Sequence, residues 1–188
     1  MDRISEHLKF RPFFDTFRGE SDRACAVLAG AFLDSLLERL LRRTIVQNAP
    51  SDLFQAQGPL ATFSAKIDMA YSLGLIPKDE HGDFHGIRRI RNDFAHAVDH
   101  ELSFSTHSVA SRIQSLRLPM FLIEYNYLAD KPVSKAELQE MREMPRKRFE
   151  VAVGMLTARL HDHMDKGTTP AELEGLTDMA AKLRKPPA

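Results

Sequence analysis

The sequence lacks most of the features that mark secreted, membrane-spanning or nucleotide-binding proteins. Its 188 residues include one cysteine, Cys25, and no tryptophan, so no disulfide can form within the chain. No apolar run reaches the length of a membrane-spanning helix, and the N-terminus has no signal-peptide core. Glycine-rich phosphate-binding motifs and the GxSxG motif of hydrolases do not occur. We therefore expect a cytoplasmic protein without a cofactor or a membrane partner, in which Cys25 is a buried small hydrophobe.

The chain also has no excess of charge of either sign. It carries 26 Lys and Arg against 26 Asp and Glu, which argues against nucleic-acid binding as a property of the whole surface, because such binding relies on cations that face phosphates. Two local basic sets remain, Arg39 with Arg42 and Arg43, and the run 146–148. Neither accompanies the turn of a helix-turn-helix, so we interpret both as solvated faces. Any DNA contact is expected to be weak or indirect.

The apolar residues of the chain recur at helical spacing, and no segment shows the sustained alternation of apolar and polar residues that is typical of a strand. We predict an all-α protein, a single-domain bundle of about six to eight helices. The predicted helices cover 21–46, 60–73, 84–100, 107–128 and 146–165, with a polar loop at 78–86, a cap at Gly74 and a kink or break at Pro119. We divide the chain into an N-terminal aromatic arm or short helix (1–20), the helical bundle (21–166) and a weak C-terminal helix and tail (167–188).

Residues 84–100 contain the densest set of charged and polar side chains within an apolar helical pattern. Asn92, His96 and His100 follow one another at spacings of four and share a polar stripe. Arg91 falls at the edge of the apolar face, where a charge is tolerated only if it is paired. Asp34 interrupts the leucine face of the first long helix in the same way. We therefore predict a structural ion pair between Asp34 and Arg91.

Histidines and carboxylates occur at spacings that permit metal ligation, but they form no known signature. The groups are His96 with His100 and Asp99, His81 with Asp83 and His85, and His161 with Asp162 and His163. There is no HExxH motif and no cysteine cluster. We interpret these residues as solvated polar side chains and expect no metal site.

Residues 90–96, IRNDFAH, resemble the mannitol operon repressor family. The likeness extends in the same order through segments 21–24, 32–38, 58–60, 63–67, 72–76 and 145–149. This resemblance implies a compact helical regulator of mannitol uptake genes that lacks an obvious DNA-reading helix. We expect a non-enzymatic transcriptional regulator that acts through a protein partner, and a homodimer stays open.

A more distant likeness supplies the alternative. The segment 91–96 is similar to the motif of HEPN domains, in which an arginine is followed directly by a polar residue and, after four residues, by a histidine. Here these residues are Arg91, Asn92 and His96. Many of these domains are metal-independent RNases whose active site spans a dimer. The resemblance implies that Arg91 and His96 would be the catalytic pair, with RNA as partner under this alternative only. On one ideal helix the two side chains point about 140° apart, so they would converge only through a helix end or a dimer mate.

Overall fold

The computed structural model describes residues 19–45, 50, 52–97, 102–118, 139 and 143–166. These residues form five helices and no strand, which confirms the all-α prediction. The helices are α1 (Asp22–Thr44), α2 (Phe63–Ser72), α3 (Lys78–His96), α4 (His107–Gln114) and α5 (Pro145–Lys166). Residues 1–18 of the predicted arm (1–20), His100, the segment 119–128 and the tail at 167–188 lie outside the described residues, so the total of six to eight helices stays a prediction. No described helix is both long and apolar enough to cross a membrane.

Helix α1 is the centre of the described bundle. Its start is fixed by Ser21, whose side chain accepts a hydrogen bond from the backbone N–H of Ala24 at 3.2 Å, as expected of an N-cap. The helix contacts α2, α3 and α5. Helical spacing predicts one apolar face of five leucines on this helix, and all five are buried together with Cys25: Leu33, Leu36, Leu37, Leu40 and Leu41. The first half is not buried all round, because Leu28 is exposed.

Helix α2 follows the predicted pattern with one exception. It begins after Thr62, whose hydroxyl accepts from the N–H of Ala65, and it ends before Gly74, which adopts a φ of 68°. A positive φ is the left-handed conformation that glycine permits at helix ends, so the predicted cap is confirmed. Helical spacing predicts that Tyr71 is buried with Phe63, Ile67 and Ala70, but its side chain is exposed and its ring packs on His81 of α3.

The predicted polar loop at 78–86 is wrong, because α3 already begins at Lys78. The buried positions Glu80, Asp83, Phe84 and Ile87 have the spacing of one helical face. The first two are carboxylates, so the sequence there does not show an apolar stripe. Asp79 and Glu80 also place negative charge in the first turn, where the helix dipole favours it.

Helices α4 and α5 complete the described core. Helix α5 begins at Pro145, next to the predicted start. Helical spacing predicts five core residues on it, and all five are buried: Phe149, Val153, Leu156, Leu160 and Met164. Phe104, ahead of α4, joins the helices through rings, with centroids 5.2 Å from Phe94 of α3 and 4.7 Å from Phe149 of α5. The predicted helix 107–128 stops at Gln114, before Pro119 is reached.

Candidate functional site

The three residues of the HEPN-like alternative lie on the last two turns of α3. Arg91 and Asn92 are half-buried, and Nη1 of Arg91 donates to Oδ1 of Asn92 at 3.0 Å. Nε of Arg91 is buried and has no hydrogen-bond partner. His96 is exposed at the last helical residue. Because α3 is continuous through both positions, the Cα–Cβ bonds of Arg91 and His96 leave the helix about 140° apart, and the guanidinium bends toward Asn92.

The close approach of α1 and α3 holds the aliphatic stem of Arg91. A Cβ atom at Gly30 of α1 would lie only 2.7 Å from Cγ of Arg91. Glycine at this position therefore lets the arginine side chain lie directly on the α1 backbone. The C-terminal end of α3 is tied to α1 as well, since Nη2 of Arg23 donates to the carbonyl oxygen of Ala97 at 2.6 Å. The C-terminal end of α3 is therefore packed against α1 and hydrogen-bonded to it.

The predicted ion pair between Asp34 and Arg91 is corrected by the structure, which pairs Asp34 with Lys66 instead. Nζ of Lys66 lies 2.9 Å from Asp34 and 2.9 Å from Glu38. Lys66 is 4% exposed, and burial alone would lower its pKa. The hydrogen bonds and charges of the two carboxylates outweigh burial and raise the pKa of Lys66 above its ordinary value. The missed signal was a lysine on the buried face of α2, beside Phe63 and Ile67.

A second buried ionic group joins α3 to α5. Glu80 is 1% exposed, and its two carboxylate oxygens contact Nε of Arg159 at 2.6 Å and Nε2 of His163 at 2.9 Å. His163 was interpreted as a solvated residue, but it is 7% exposed. Such a carboxylate is tolerated in the core because both oxygens have cationic or N–H partners.

A third buried group explains why α4 ends where it does. The guanidinium of Arg148 donates to the carbonyl oxygens of Ile113, Gln114 and Leu116. These are carbonyls that a continuing helix would satisfy internally. Arg148, predicted as part of a solvated face, is therefore a buried cap of α4, and burial lowers its pKa.

The backbone that follows α4 is held from the other side by Asp83 of α3. Its carboxylate accepts from the N–H of Arg117 at 2.9 Å and from the N–H of Leu118 at 2.8 Å. Burial raises the pKa of Asp83 to about 6, although these two hydrogen bonds act to lower it. Asp83 thus belongs to the core and not to a solvated loop.

A cluster of three metal-ligand side chains lies between α2 and α3. Oδ1 of Asp68 is 2.9 Å from Nε2 of His81 and 2.9 Å from Nε2 of His85, and the two nitrogens are 3.2 Å apart. The hydrogen bond from His81 is the largest influence that lowers the pKa of Asp68. The ring of Tyr71 packs on His81 with a centroid distance of 4.6 Å. Sequence spacing could not show this cluster, because Asp68 lies on another helix.

The family of the chain follows from comparison with known proteins. The family model described as "MtlR: Mannitol repressor" matches residues 2–161. The chain belongs to the mannitol repressor family. Among curated proteins none matches the sequence significantly. A chain in the X-ray structure of the MtlR–HPr complex from Escherichia coli has a similar fold, with 19% sequence identity and a TM-score of 0.50, covering 83% of this chain and 98% of its own length.

For a member of the mannitol repressor family, the placement of the basic residues bears on DNA binding. Arg39, Arg42 and Arg43 are exposed, as predicted, and Arg42 pairs with Glu38. The run 146–148 is different. Arg146 contacts Asp22 at 2.7 Å, and Arg148 is the buried cap of α4. Two of the three cations in that run are thus engaged inside the fold.

Proposed function

We propose that this chain is a transcriptional regulator of the mannitol repressor type that works in the cytoplasm by binding another protein. The match of the family model over residues 2–161 carries the proposal. The similar chain of known structure comes from a complex with HPr, so HPr from the same organism is the first partner to test. Direct reading of DNA sequence has no part in this mechanism.

The contacts of the basic side chains support a mechanism in which the chain binds a protein and does not read DNA sequence directly. Sequence-specific DNA reading requires an exposed helix whose side chains reach the base edges, together with cations that face the backbone phosphates. Arg146 and Arg148 are committed to contacts within the fold. Helix α3 faces the core with Phe84, Ile87, Ile90 and Phe94. Of the two basic sets, the exposed arginines of α1 stay available for a phosphate contact, and such contacts alone give no sequence preference.

The partner is tested by titrating purified HPr into the full chain and measuring heat or interferometric response. We expect saturable binding of one HPr per chain. Unfolded chain serves as the control for non-specific association. Absence of saturable binding would contradict HPr as the partner.

DNA binding is tested in parallel by gel shift with DNA from upstream of the organism's mannitol genes. We expect no sequence-dependent shift at physiological salt, and any weak shift should weaken steeply as salt rises. The double variant Arg39→Ala/Arg43→Ala should abolish such a weak shift while HPr binding persists. A shift that survives excess unrelated DNA would overturn the protein-contact mechanism.

The HEPN-like alternative rests on the exposed imidazole of His96 at the end of α3. An RNase of this type would use His96 as acid or base and Arg91 to stabilise phosphate charge. Incubation of structured and single-stranded RNA with wild-type protein and with His96→Ala separates the two functions. We expect no cleavage by either protein. RNA cleavage by wild-type protein that is lost in His96→Ala would contradict the proposed regulator and favour the nuclease function.

A further inference from the structure

We propose that Asp68, His81 and His85 form a binding site for one divalent transition-metal ion, with Zn²⁺ the best match. The three side chains come from two helices, and His81 and His85 share one face of α3 at a spacing of four. Their three donor atoms form a triangle with edges of 2.9, 2.9 and 3.2 Å. This site is separate from the protein-binding function proposed above.

The dimensions of the triangle suit an ion of zinc size. Bonds of about 2.0–2.2 Å to nitrogen and oxygen, at angles of about 90–110°, separate neighbouring ligand atoms by about 2.8–3.6 Å. All three observed distances lie in this range. Two imidazoles and one carboxylate are ligands that zinc and its neighbours accept, whereas Ca²⁺ and Mg²⁺ prefer oxygen ligands.

The exposure of the ligands fits an open site. The side chain of Asp68 is 57% exposed, that of His81 26% and that of His85 15%. An ion held by these three groups would keep further positions for water. The ring of Tyr71 packs on His81 and limits its rotation, so part of the geometry is set before binding.

Hydrogen bonding alone is the competing explanation of the same contacts. In that arrangement both imidazoles donate N–H to one carboxylate oxygen, and two N–H groups lie side by side. In the metal-bound arrangement both nitrogens present lone pairs to the cation. The two explanations differ in measurable metal affinity.

Arg88 provides a specific signature of the proposed coordination. Its Nε donates to Nδ1 of His85 at 3.4 Å, so Nδ1 accepts a hydrogen bond there. When Nε2 of a histidine binds a metal, the other ring nitrogen carries the proton, and Arg88 would then face a second donor. Metal binding must displace Arg88, and removing this side chain should strengthen binding.

The test uses the full chain, purified without a histidine tag and freed of metal by chelation. Zn²⁺ and Co²⁺ are titrated by calorimetry, and Co²⁺ also by visible absorption. We expect one equivalent to bind, with a rise in melting temperature, because the ion binds the folded state and joins α2 to α3. Ca²⁺ and Mg²⁺ should not compete. Absence of stoichiometric Zn²⁺ and Co²⁺ binding would overturn the site.

Variants locate the ion. His81→Ala and His85→Ala should each weaken Zn²⁺ binding by about 10-fold or more, as even changes outside the ligand set cost about 10–100-fold. His107→Ala, at an exposed histidine of α4, is the matched control and should bind like wild type. Asp68→Asn changes an exposed side chain, so it tests the site even where a histidine variant folds poorly. Equal affinity in Asp68→Asn and wild type would disprove the assignment.

The Arg88→Ala variant tests the coordinating atom. We expect tighter Zn²⁺ binding than in wild type, because no donor then opposes the proton on Nδ1 of His85. Weaker or unchanged binding would overturn coordination through Nε2 of His85.

Discussion

Asp83 shows how a single buried group links this fold to pH. Its residue surface is 2% exposed, and its carboxylate meets two backbone N–H groups from the segment after α4. Burial raises its pKa from 3.8 to about 6. The folded state therefore holds the Asp83 proton more tightly than the unfolded state does. The resulting stability is fully present below pH 3.8 and is lost as pH rises through about 6.

We predict that Asp83→Asn removes this pH dependence. The free energy of unfolding of wild type, relative to that of the variant, should fall by roughly 3 kcal/mol as pH rises from about 3 to about 7. Urea denaturation at several pH values measures both curves. Parallel curves for the two proteins would contradict the raised pKa of Asp83.

Glu80 is a buried carboxylate with two ionic partners on α5, Arg159 and His163. The Glu80→Gln variant keeps the shape but leaves Arg159 and His163 without their anion. We expect the free energy of unfolding to fall by about 3 kcal/mol or more at neutral pH, since breaking a buried pair leaves an uncompensated group. The matched control is Asp93→Asn, which breaks a more exposed pair with Arg112 and should cost less than about 1 kcal/mol. An equal fall in the free energy of unfolding in Glu80→Gln and Asp93→Asn would contradict the larger contribution expected of the buried pair.

At the scale of elements, the contact between α1 and α3 depends on a missing side chain. Gly30 lies in the interior of α1, where glycine is usually unfavourable. The structure explains its presence, because a Cβ atom would lie 2.7 Å from Cγ and 3.0 Å from Cβ of Arg91. Neither atom is at the flexible end of the arginine, so the helices themselves would have to separate.

We predict that Gly30→Ala lowers the free energy of unfolding by about 1–3 kcal/mol, the usual cost of overpacking. Gly82→Ala on α3 is the matched control, since no atom lies within 4 Å of its added Cβ. It should stabilise the protein by about 0.5–1 kcal/mol through helix propensity. In an Arg91→Ala background the Gly30→Ala penalty should shrink. A stabilising Gly30→Ala in wild type would rule out this packing.

At the scale of the whole molecule, the central position of α1 predicts that the bundle unfolds cooperatively. This helix contacts α2, α3 and α5, so it cannot open without exposing the main core. Cys25 lies on its buried side with no exposed surface. Burial raises the pKa of its thiol to about 12, which leaves almost no reactive thiolate at neutral pH.

We therefore predict that a disulfide reagent such as DTNB labels Cys25 only after global unfolding. In native buffer the labelling rate should be slow and should rise with urea in step with the loss of helical circular dichroism. A Cys25→Ala variant provides the unlabelled control. Rapid labelling of natively folded protein would contradict the central, closed position of α1.

The sequence by itself determined the helices that bury apolar side chains. The leucines of α1, the α2 cap at Gly74 and the α5 core from Phe149 to Met164 follow from local spacing and backbone chemistry, and all agree with the structure. Tertiary structure decided the polar contacts. Asp34 pairs with Lys66 and not with Arg91. Helix α3 begins before the predicted start, because Glu80 and Asp83 are buried with partners on other segments. Asp68 of α2 contacts His81 and His85 of α3. The physical reason is that periodicity reports which face of a helix is apolar, whereas a charge is stabilised by a partner on another helix.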